Sequence, residues 1–271
     1  WQDTLALDMR VGAPPDEFNT AGQDWGLPPF VPWRLRAAAY QPLIETLRAG
    51  FRHAGGLRVD HVMGLFRLFW LPATGGPGGY VRYPAHELLD ILALESHRAR
   101  AFVVGEDLGT VEDAVRAELH DRQVLSYRLL WFEPEPPEEF PEQALAAVTT
   151  HDLPTVTGMW TRSDREDQRA AGLSPNEGGE EEVRRRLQHA AGLADDAPVE
   201  EAVLAAYRAL GRSPSQLLLA TLDDAMAVTE RPNMPGTVDQ WPNWSIALPR
   251  PIDELEGDPL ADGVGDALRR G

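Results

Sequence analysis

Three acidic side chains follow short apolar runs of the sequence and could act together on one substrate. Asp60 and Glu106 each end such a run, and Asp152 comes directly after the run that ends at His151. Both intervals between these carboxylates are 46 residues long. Residues at the carboxyl ends of the strands of a (β/α)8 barrel converge on one face and carry its chemistry. The spacing therefore makes the three carboxylates candidates for acid, base and nucleophile.

Arg58 and Asp60 are the first candidate pair. Alternation along a strand places both side chains on the same side, and a nearby arginine holds a carboxylate in its ionised form. An ionised carboxylate is the nucleophile that covalent glycosyl transfer requires. The alternative is a structural ion pair that bridges the ends of two strands.

Glu106 is the second candidate, because it follows the apolar run 101–106. A carboxyl group in such a setting can stay protonated near neutral pH through desolvation, which is the property of a general acid. The alternative is an acidic residue that caps a helix starting at Val111, and Asp107 fits that alternative better than Glu106 does.

His151 and Asp152 form the third candidate pair. Each group can make charge-assisted hydrogen bonds, so together they could hold vicinal hydroxyl groups of a sugar. The alternative is that Asp152 caps a turn before Pro154.

A catalytic metal and two other catalytic classes are disfavoured. Histidine and carboxylate side chains are metal ligands, but the sequence holds no His-x-His or His-Glu-x-x-His pattern. The absence of cysteine excludes thiol catalysis and disulfides, and no Gly-x-Ser-x-Gly elbow supports a serine hydrolase.

Aromatic residues alternate with polar ones in two predicted loops. A flat aromatic ring beside an amide or carboxylate complements a sugar, whose apolar faces are ringed by hydroxyl groups. Gln23 and Trp25 lie in the first loop, where we favour contact with substrate over packing. Trp241 and Trp244 lie in the second loop, where we favour packing.

Alternating strand and helix patterns position these residues. Short apolar runs predict buried parallel strands, and helical patterns lie between them, so the sequence predicts an α/β fold, a (β/α)8 barrel. The segment 11–33 is predicted as an ordered loop that covers the substrate, and 162–210 as a mainly helical insertion. Five strands are predicted rather than eight, so we expect barrel strands upstream of this sequence. The predicted strands are 56–60, 101–106, 124–132, 146–151 and 217–222, and the predicted helices lie within 40–54, 86–98, 111–119 and 180–210.

The composition of the chain disfavours several kinds of chemistry and of binding partner. The 271 residues carry a net charge of −18, and all 25 basic residues are arginine. The absence of lysine excludes Schiff-base and phosphate-loop lysines. Like charges repel, so we expect neither nucleic acid nor an anionic membrane surface as a partner.

Five motifs together resemble those of the 4-alpha-glucanotransferases, which are amylomaltases or disproportionating enzymes of glycoside hydrolase family 77. The resemblance runs from about residue 12 to residue 248. The motifs are Gly-Ala-Pro-Pro-Asp at 12–16 with Gly-Gln-Asp-Trp-Gly at 22–26, Arg-Val-Asp-His-Val-Met-Gly-Leu at 58–65, Gly-Glu-Asp-Leu-Gly-Thr at 105–110, Thr-His-Asp at 150–152 and Pro-Asn-Met-Pro-Gly-Thr at 232–237.

The resemblance implies a retaining α-1,4-glucan transferase on a barrel of the α-amylase kind. Asp60 then corresponds to the nucleophile, Glu106 to the acid/base and Asp152 to the carboxylate that stabilises the transition state. Members of the family act on maltooligosaccharides and use no cofactor, and we expect a cytoplasmic location. Residues that match sugar-contacting positions are Arg58, His61, His151, Gln23, Trp25, Asp16 and Asn233.

Two departures from the family pattern leave alternatives. The segment Leu153-Pro154-Thr155 replaces the Asn-Asp that many relatives have after the His-Asp pair. The N-terminal region of the family, with its first barrel strands, does not occur in this sequence. An α-amylase-like hydrolase and an inactive glucan-binding fragment are therefore the alternative functions.

Overall fold

The structure, a computed structural model, describes residues 1–15, 22–109 and 111–270. The chain divides into two units, Trp1–Tyr127 and Arg128–Gly271. The predicted sugar-contacting residue Asp16 lies outside the described residues.

The first unit contains both strands and helices, but they do not alternate strictly as predicted. The strands are β1 (Met9–Ala13), β2 (Gln23–Asp24), β3 (Gly56–Val59), β4 (Arg67–Pro72), β5 (Gly79–Arg82) and β6 (Phe102–Gly105). The helices are α1 (Pro32–Ala37), α2 (Gln41–Phe51), α3 (Ala85–Ala99) and α4 (Asp113–Asp121). β3 pairs in parallel with β6, and Val104 makes a parallel bridge to Leu125. This parallel core confirms the strands predicted at 56–60 and 101–106.

Helices dominate the second unit. The strands are β7 (Ser126–Leu129), which starts just before the boundary, β8 (Ala144–Ala147) and β9 (Leu217–Leu219), and β8 pairs in parallel with β9. The helices are α5 (Val156–Thr161), α6 (Ser163–Ala170), α7 (Glu177–Ala191), α8 (Val199–Gly211), α9 (Leu222–Ala225) and α10 (Pro259–Leu268). Four of the five predicted strands lie within their apolar runs, and each is shorter than its run. The strand predicted at 146–151 is displaced, because β8 begins at Ala144 and ends at Ala147. His151 and Asp152 therefore lie in a turn beyond the strand and not directly at its end. The role of 162–210 as an insertion stays a prediction.

An antiparallel sheet in the first unit was not predicted. Its strand order is β2-β1-β4-β5, with Met9 opposite Pro72. β4 escaped prediction because a single 3₁₀ turn, Val62–Leu65, joins it to β3, whereas parallel strands were expected to alternate with helices. β1 and β2 place part of the segment 11–33 in this sheet, and its role as a cover over the substrate stays a prediction.

The apolar core of the first unit fixes where β3 and β6 end. α2 contributes Leu47 and Phe51, and α3 contributes Leu89 and Leu92. These side chains pack with Val103 of β6, and each is at most 6% exposed. A fully buried aliphatic or aromatic side chain contributes about 1.5–3 kcal/mol through removal from water. The core therefore gives the strand ends a rigid support.

Close backbone approach at Gly12 leads to a stability prediction. A Cβ atom at Gly12 would lie 2.0 Å from the carbonyl oxygen of Gln23, across the β1–β2 pair. Gly12→Ala is therefore expected to lower the free energy of unfolding by about 1–3 kcal/mol, the usual effect of overpacking. Urea denaturation followed by circular dichroism measures the change. Gly55→Ala is the control, because nothing lies within 4 Å of its Cβ position; equal midpoints for the two variants would contradict the prediction.

Candidate active site

Arg58 and Asp60 lie at the carboxyl end of β3, as predicted. The Arg58 Nη2 atom is 2.7 Å from Asp60 Oδ1, and 76% of the Asp60 side chain is exposed. The Arg58 guanidinium also lies 5.4 Å from the centre of the Tyr127 ring, a cation–π distance. Asp60 thus combines access for a substrate with a fixed positive partner.

Glu106, directly after β6, is held by two main-chain donors. Its Oε2 accepts a hydrogen bond from the N–H of His61 at 2.9 Å, and its Oε1 accepts one from the N–H of Leu108 at 2.8 Å. Burial raises the pKa of Glu106 above its ordinary value, and the nearby negative charge of Asp60 raises it further. The two main-chain hydrogen bonds and Arg58 oppose this shift. The proton therefore stays on Glu106 to a higher pH than on a free glutamate.

The coupling between Asp60 and Glu106 gives a titration prediction. Asp60→Asn removes a negative charge that disfavours ionised Glu106, so the pKa of Glu106 is expected to fall in the variant. Carbon-13 NMR titration of the labelled glutamate carboxyl groups measures this pKa. Asp121→Asn, at an exposed carboxylate of α4, is the control and should leave the pKa unchanged. An unchanged Glu106 pKa in Asp60→Asn would show that the two groups are not coupled.

Asp107 is a structural residue, but not in the way the sequence suggested. Its side chain is 1% exposed and accepts hydrogen bonds from the Ser126 hydroxyl and from the Tyr127 N–H at 2.8 Å. α4 begins at Asp113, with Glu112 as its N-cap residue. The interpretation of Asp107 or Glu106 as a helix cap is therefore wrong. Asp107 instead links the end of β6 to the start of β7.

His61 connects Glu106 to the aromatic segment after β2. Its backbone is left-handed, with φ +46°, and its ring meets the Trp25 ring edge-on, with the centroids 5.2 Å apart. The Trp25 indole N–H donates to Gln23 Oε1 at 2.8 Å, and 37% of Trp25 is exposed. Burial lowers the pKa of His61, against the effect of Asp60. The first unit thus brings six predicted residues into one cluster: Gln23, Trp25, Arg58, Asp60, His61 and Glu106.

The second unit holds the other predicted residues around Asp152. The Asn233 side-chain amide donates to Asp152 Oδ1 at 2.6 Å, and His151 Nε2 lies 3.3 Å from Asp152 Oδ2. The Asn233 N–H also donates to the His151 carbonyl at 3.1 Å. Asn233 therefore fixes both the main chain and the carboxylate of the predicted His-Asp pair.

A buried ion pair that the sequence did not reveal supports the same segment. Arg231 Nε donates to Asp164 Oδ1 at 2.7 Å, a second guanidinium nitrogen bonds Asp164 Oδ2, and Arg231 Nη1 donates to the Asp152 carbonyl at 2.9 Å. The side chains of Arg231 and Asp164 are 8% and 1% exposed. No local pattern joins two residues that lie 67 positions apart, so only the fold shows their pairing.

The two tryptophans of the second predicted loop differ. The Trp241 indole N–H donates to the Arg231 carbonyl at 3.1 Å, and the side chain is half-buried. Trp244 is 67% exposed, and its ring centroid lies 5.0 Å from that of His151. The interpretation of Trp244 as a packing residue is therefore wrong.

Neither a metal cluster nor a membrane span is found in the part of the chain that the structure describes. Within residues 1–15, 22–109 and 111–270, no three His, Asp or Glu side chains are placed to hold a metal ion. Over the same residues, no helix has both the length and the apolar character needed to cross a membrane.

Comparison with known proteins gives the class to which this fold and these clusters belong. A family model described as 4-alpha-glucanotransferase matches residues 1–252. The chain therefore belongs to the 4-alpha-glucanotransferase family, glycoside hydrolase family 77. The α/β barrel class predicted for the fold is confirmed by a close structural match.

Two sequence relatives and one solved structure show the extent of the likeness. A 4-alpha-glucanotransferase of Mycobacterium tuberculosis (strain ATCC 25618 / H37Rv) is 43% identical, over 99% of this chain and 41% of that protein. One from Haemophilus influenzae is 34% identical, over 92% of this chain and 39% of that protein. The crystal structure of amylomaltase from Corynebacterium glutamicum matches with a TM-score of 0.92 and 36% identity, over 100% of this chain and 43% of that chain. The chain thus spans about two-fifths of the length of the relatives it matches.

Proposed function

We propose that this chain carries the catalytic carboxylates of a 4-alpha-glucanotransferase, which moves α-1,4-glucan segments between maltooligosaccharides with retention of configuration. One observation supports this most strongly. A protonatable carboxyl group, Glu106, is fixed by main-chain hydrogen bonds beside an accessible, arginine-paired carboxylate, Asp60. A retaining glycosidase mechanism needs one carboxyl group in each of these two states.

In the first proposed step, the glycosidic bond breaks and an enzyme ester forms. Glu106 gives its proton to the leaving glycosidic oxygen while an Asp60 oxygen attacks the anomeric carbon. The raised pKa of Glu106 keeps that proton available, and the Arg58 guanidinium, 2.7 Å from Asp60 Oδ1, orients the attacking carboxylate. In a retaining enzyme the two carboxyl groups are about 5–5.5 Å apart, and we expect this separation between Asp60 and Glu106.

In the second proposed step, the ester is opened by a sugar. Glu106, now ionised, removes the proton from the 4-hydroxyl of an acceptor glucan, whose oxygen attacks the anomeric carbon and releases Asp60. Two inversions leave the α configuration unchanged. Transfer prevails over hydrolysis where the site admits sugar in preference to water. We propose that the segment that holds Trp25 favours the entry of sugar over water.

Asp152 is the proposed stabiliser of the transition state. Its Oδ1 is bound by Asn233 and its Oδ2 is near His151, so the carboxylate is oriented before a sugar arrives. Sugar hydroxyl groups donate hydrogen bonds to such a carboxylate, and these bonds lower the barrier because they strengthen as the sugar ring flattens. We include Arg58, His61, His151, Gln23, Trp25, Asp16 and Asn233 in the proposed sugar-contacting set.

Incubation with maltotriose tests the proposal. Glucose together with maltopentaose and longer products, all formed with retained α configuration by proton NMR, is the expected result. Glucose and maltose without longer products would favour the α-amylase-like hydrolase. Binding of maltotriose without any turnover would favour the inactive glucan-binding fragment. A cytoplasmic location and the absence of nucleic-acid and membrane partners stay predictions.

A further inference from the structure

Trp244 combines high exposure with a defined position. It is 67% exposed, yet its ring lies 5.0 Å from the His151 ring at an interplanar angle of 45°. His151 in turn lies 3.3 Å from the Asp152 carboxylate. A large apolar ring in water is unfavourable unless something covers it, and here the ring stands beside the polar pair proposed to hold a sugar.

The backbone at Trp244 is held in an unfavourable conformation. Its φ is +60°, a left-handed value that is strained for a bulky side chain. The Trp244 N–H donates to the Pro232 carbonyl at 2.9 Å, so the segment is tied back to the start of the Pro-Asn-Met-Pro-Gly-Thr motif. Backbone strain that the surrounding structure maintains is found mainly at functional sites.

The neighbouring Asn243 makes the loop rigid. Its side-chain oxygen accepts from the N–H of Met234 at 2.8 Å, and its amide nitrogen donates to Thr237 Oγ1 at 2.9 Å. Met234 is 1% exposed, so this network is anchored in the packed interior of the second unit. The exposed Trp244 ring therefore projects from a fixed loop.

We propose that Trp244 is a sugar-stacking platform, which binds the apolar face of a glucose unit next to the unit held by His151 and Asp152. The indole face matches the C–H face of a pyranose. The His151 imidazole beside it, and the Asp152 carboxylate that His151 contacts, match the hydroxyl groups of a sugar. This inference deepens the proposed function and rests on it for the choice of α-1,4-glucan as ligand. Trp241 is less suited to this role, because its side chain is half-buried whereas Trp244 is 67% exposed.

Trp244→Gly tests the platform without disturbing the fold, since glycine adopts φ +60° without strain. Calorimetric titration with maltotriose and with maltopentaose gives Kd, and steady-state transfer gives KM and kcat. We expect Kd and KM to rise about three- to tenfold, which corresponds to the usual worth of an aromatic contact, with kcat changed less than twofold. Trp244→Phe keeps a flat ring, so its Kd and KM should lie between those of Trp244→Gly and those of the unmodified chain.

Trp1→Ala is the control, because Trp1 is 62% exposed and belongs neither to the segment 11–33 nor to the predicted site residues. It should leave Kd and KM unchanged. Wild-type affinity in Trp244→Gly, or an equal loss in Trp1→Ala, would overturn the inference, as would a failure of the unmodified chain to bind either oligosaccharide. An unmodified chain that binds but does not transfer would contradict the proposed function alone, because the Kd comparison still decides the role of Trp244.

Discussion

Asp60→Asn is expected to reduce glucan transfer from maltotriose by about 10,000-fold or more. An amide cannot form the ester that divides the reaction into two easier steps, and loss of a nucleophile removes the covalent route completely. The exposed position of Asp60 at the end of β3 means that the substitution should not disturb the core. Chromatography of the products over time measures the rate.

Asp121→Asn is the control for this loss, because it changes an equally exposed carboxylate in α4. Its transfer rate should stay within twofold of the unmodified chain. Transfer at more than a hundredth of the normal rate in Asp60→Asn would exclude Asp60 as the nucleophile. Maltotriose binding should persist in the variant, which separates a chemical defect from a folding defect.

Asp164→Asn is expected to lower the free energy of unfolding by about 3–5 kcal/mol, the usual result of breaking a buried ion pair on one side. Arg231 would keep its charge in a buried setting, lose the opposite charge and lose one of its two bonds to the residue at 164, because an amide offers a single acceptor oxygen. Arg231 also holds the Asp152 carbonyl, so transfer should decline as well. Urea denaturation gives the stability, and assays well below the transition midpoint give the activity.

Asp266→Asn provides the matched control, because Asp266 pairs with Arg269 in an exposed i,i+3 contact. Exposed pairs of this kind contribute at most about 1 kcal/mol. A similar decrease in the free energy of unfolding in the two variants would show that the buried Asp164–Arg231 pair contributes no more to stability than an exposed pair. The double variant Asp164→Asn with Arg231→Met removes both charges and should recover part of the loss.

The sequence was most informative where acidic residues directly follow apolar strands. The strands before Asp60 and Glu106 were predicted because β3 and β6 are short apolar runs that end in acidic residues. Their grouping with Gln23 and Trp25 followed from family motifs, and the structure places those two residues against His61.

The remaining features depend on contacts between distant parts of the chain. Arg231, Asn233 and Trp244 lie in one long loop after α9. Tertiary hydrogen bonds to Asp164 of α6, to Asp152 and to the Pro232 carbonyl hold this loop in place. β4 was not predicted because a short 3₁₀ turn, and not a helix, joins it to β3. Asp107 was misinterpreted because its partners, in β7, lie about 20 residues further along.

The two hydrogen bonds to the Glu106 carboxylate come from the main chain at positions 61 and 108. Every residue except proline supplies the same N–H group, so amino-acid replacement at these two positions leaves the donors in place. The side chain of His61 can therefore contact a sugar without taking part in anchoring the carboxyl group. His61 thus has two roles that use separate atoms: its side chain belongs to the proposed sugar-contacting set, and its N–H anchors the carboxyl group of Glu106. Only a proline or a changed backbone path at this position would alter both roles together.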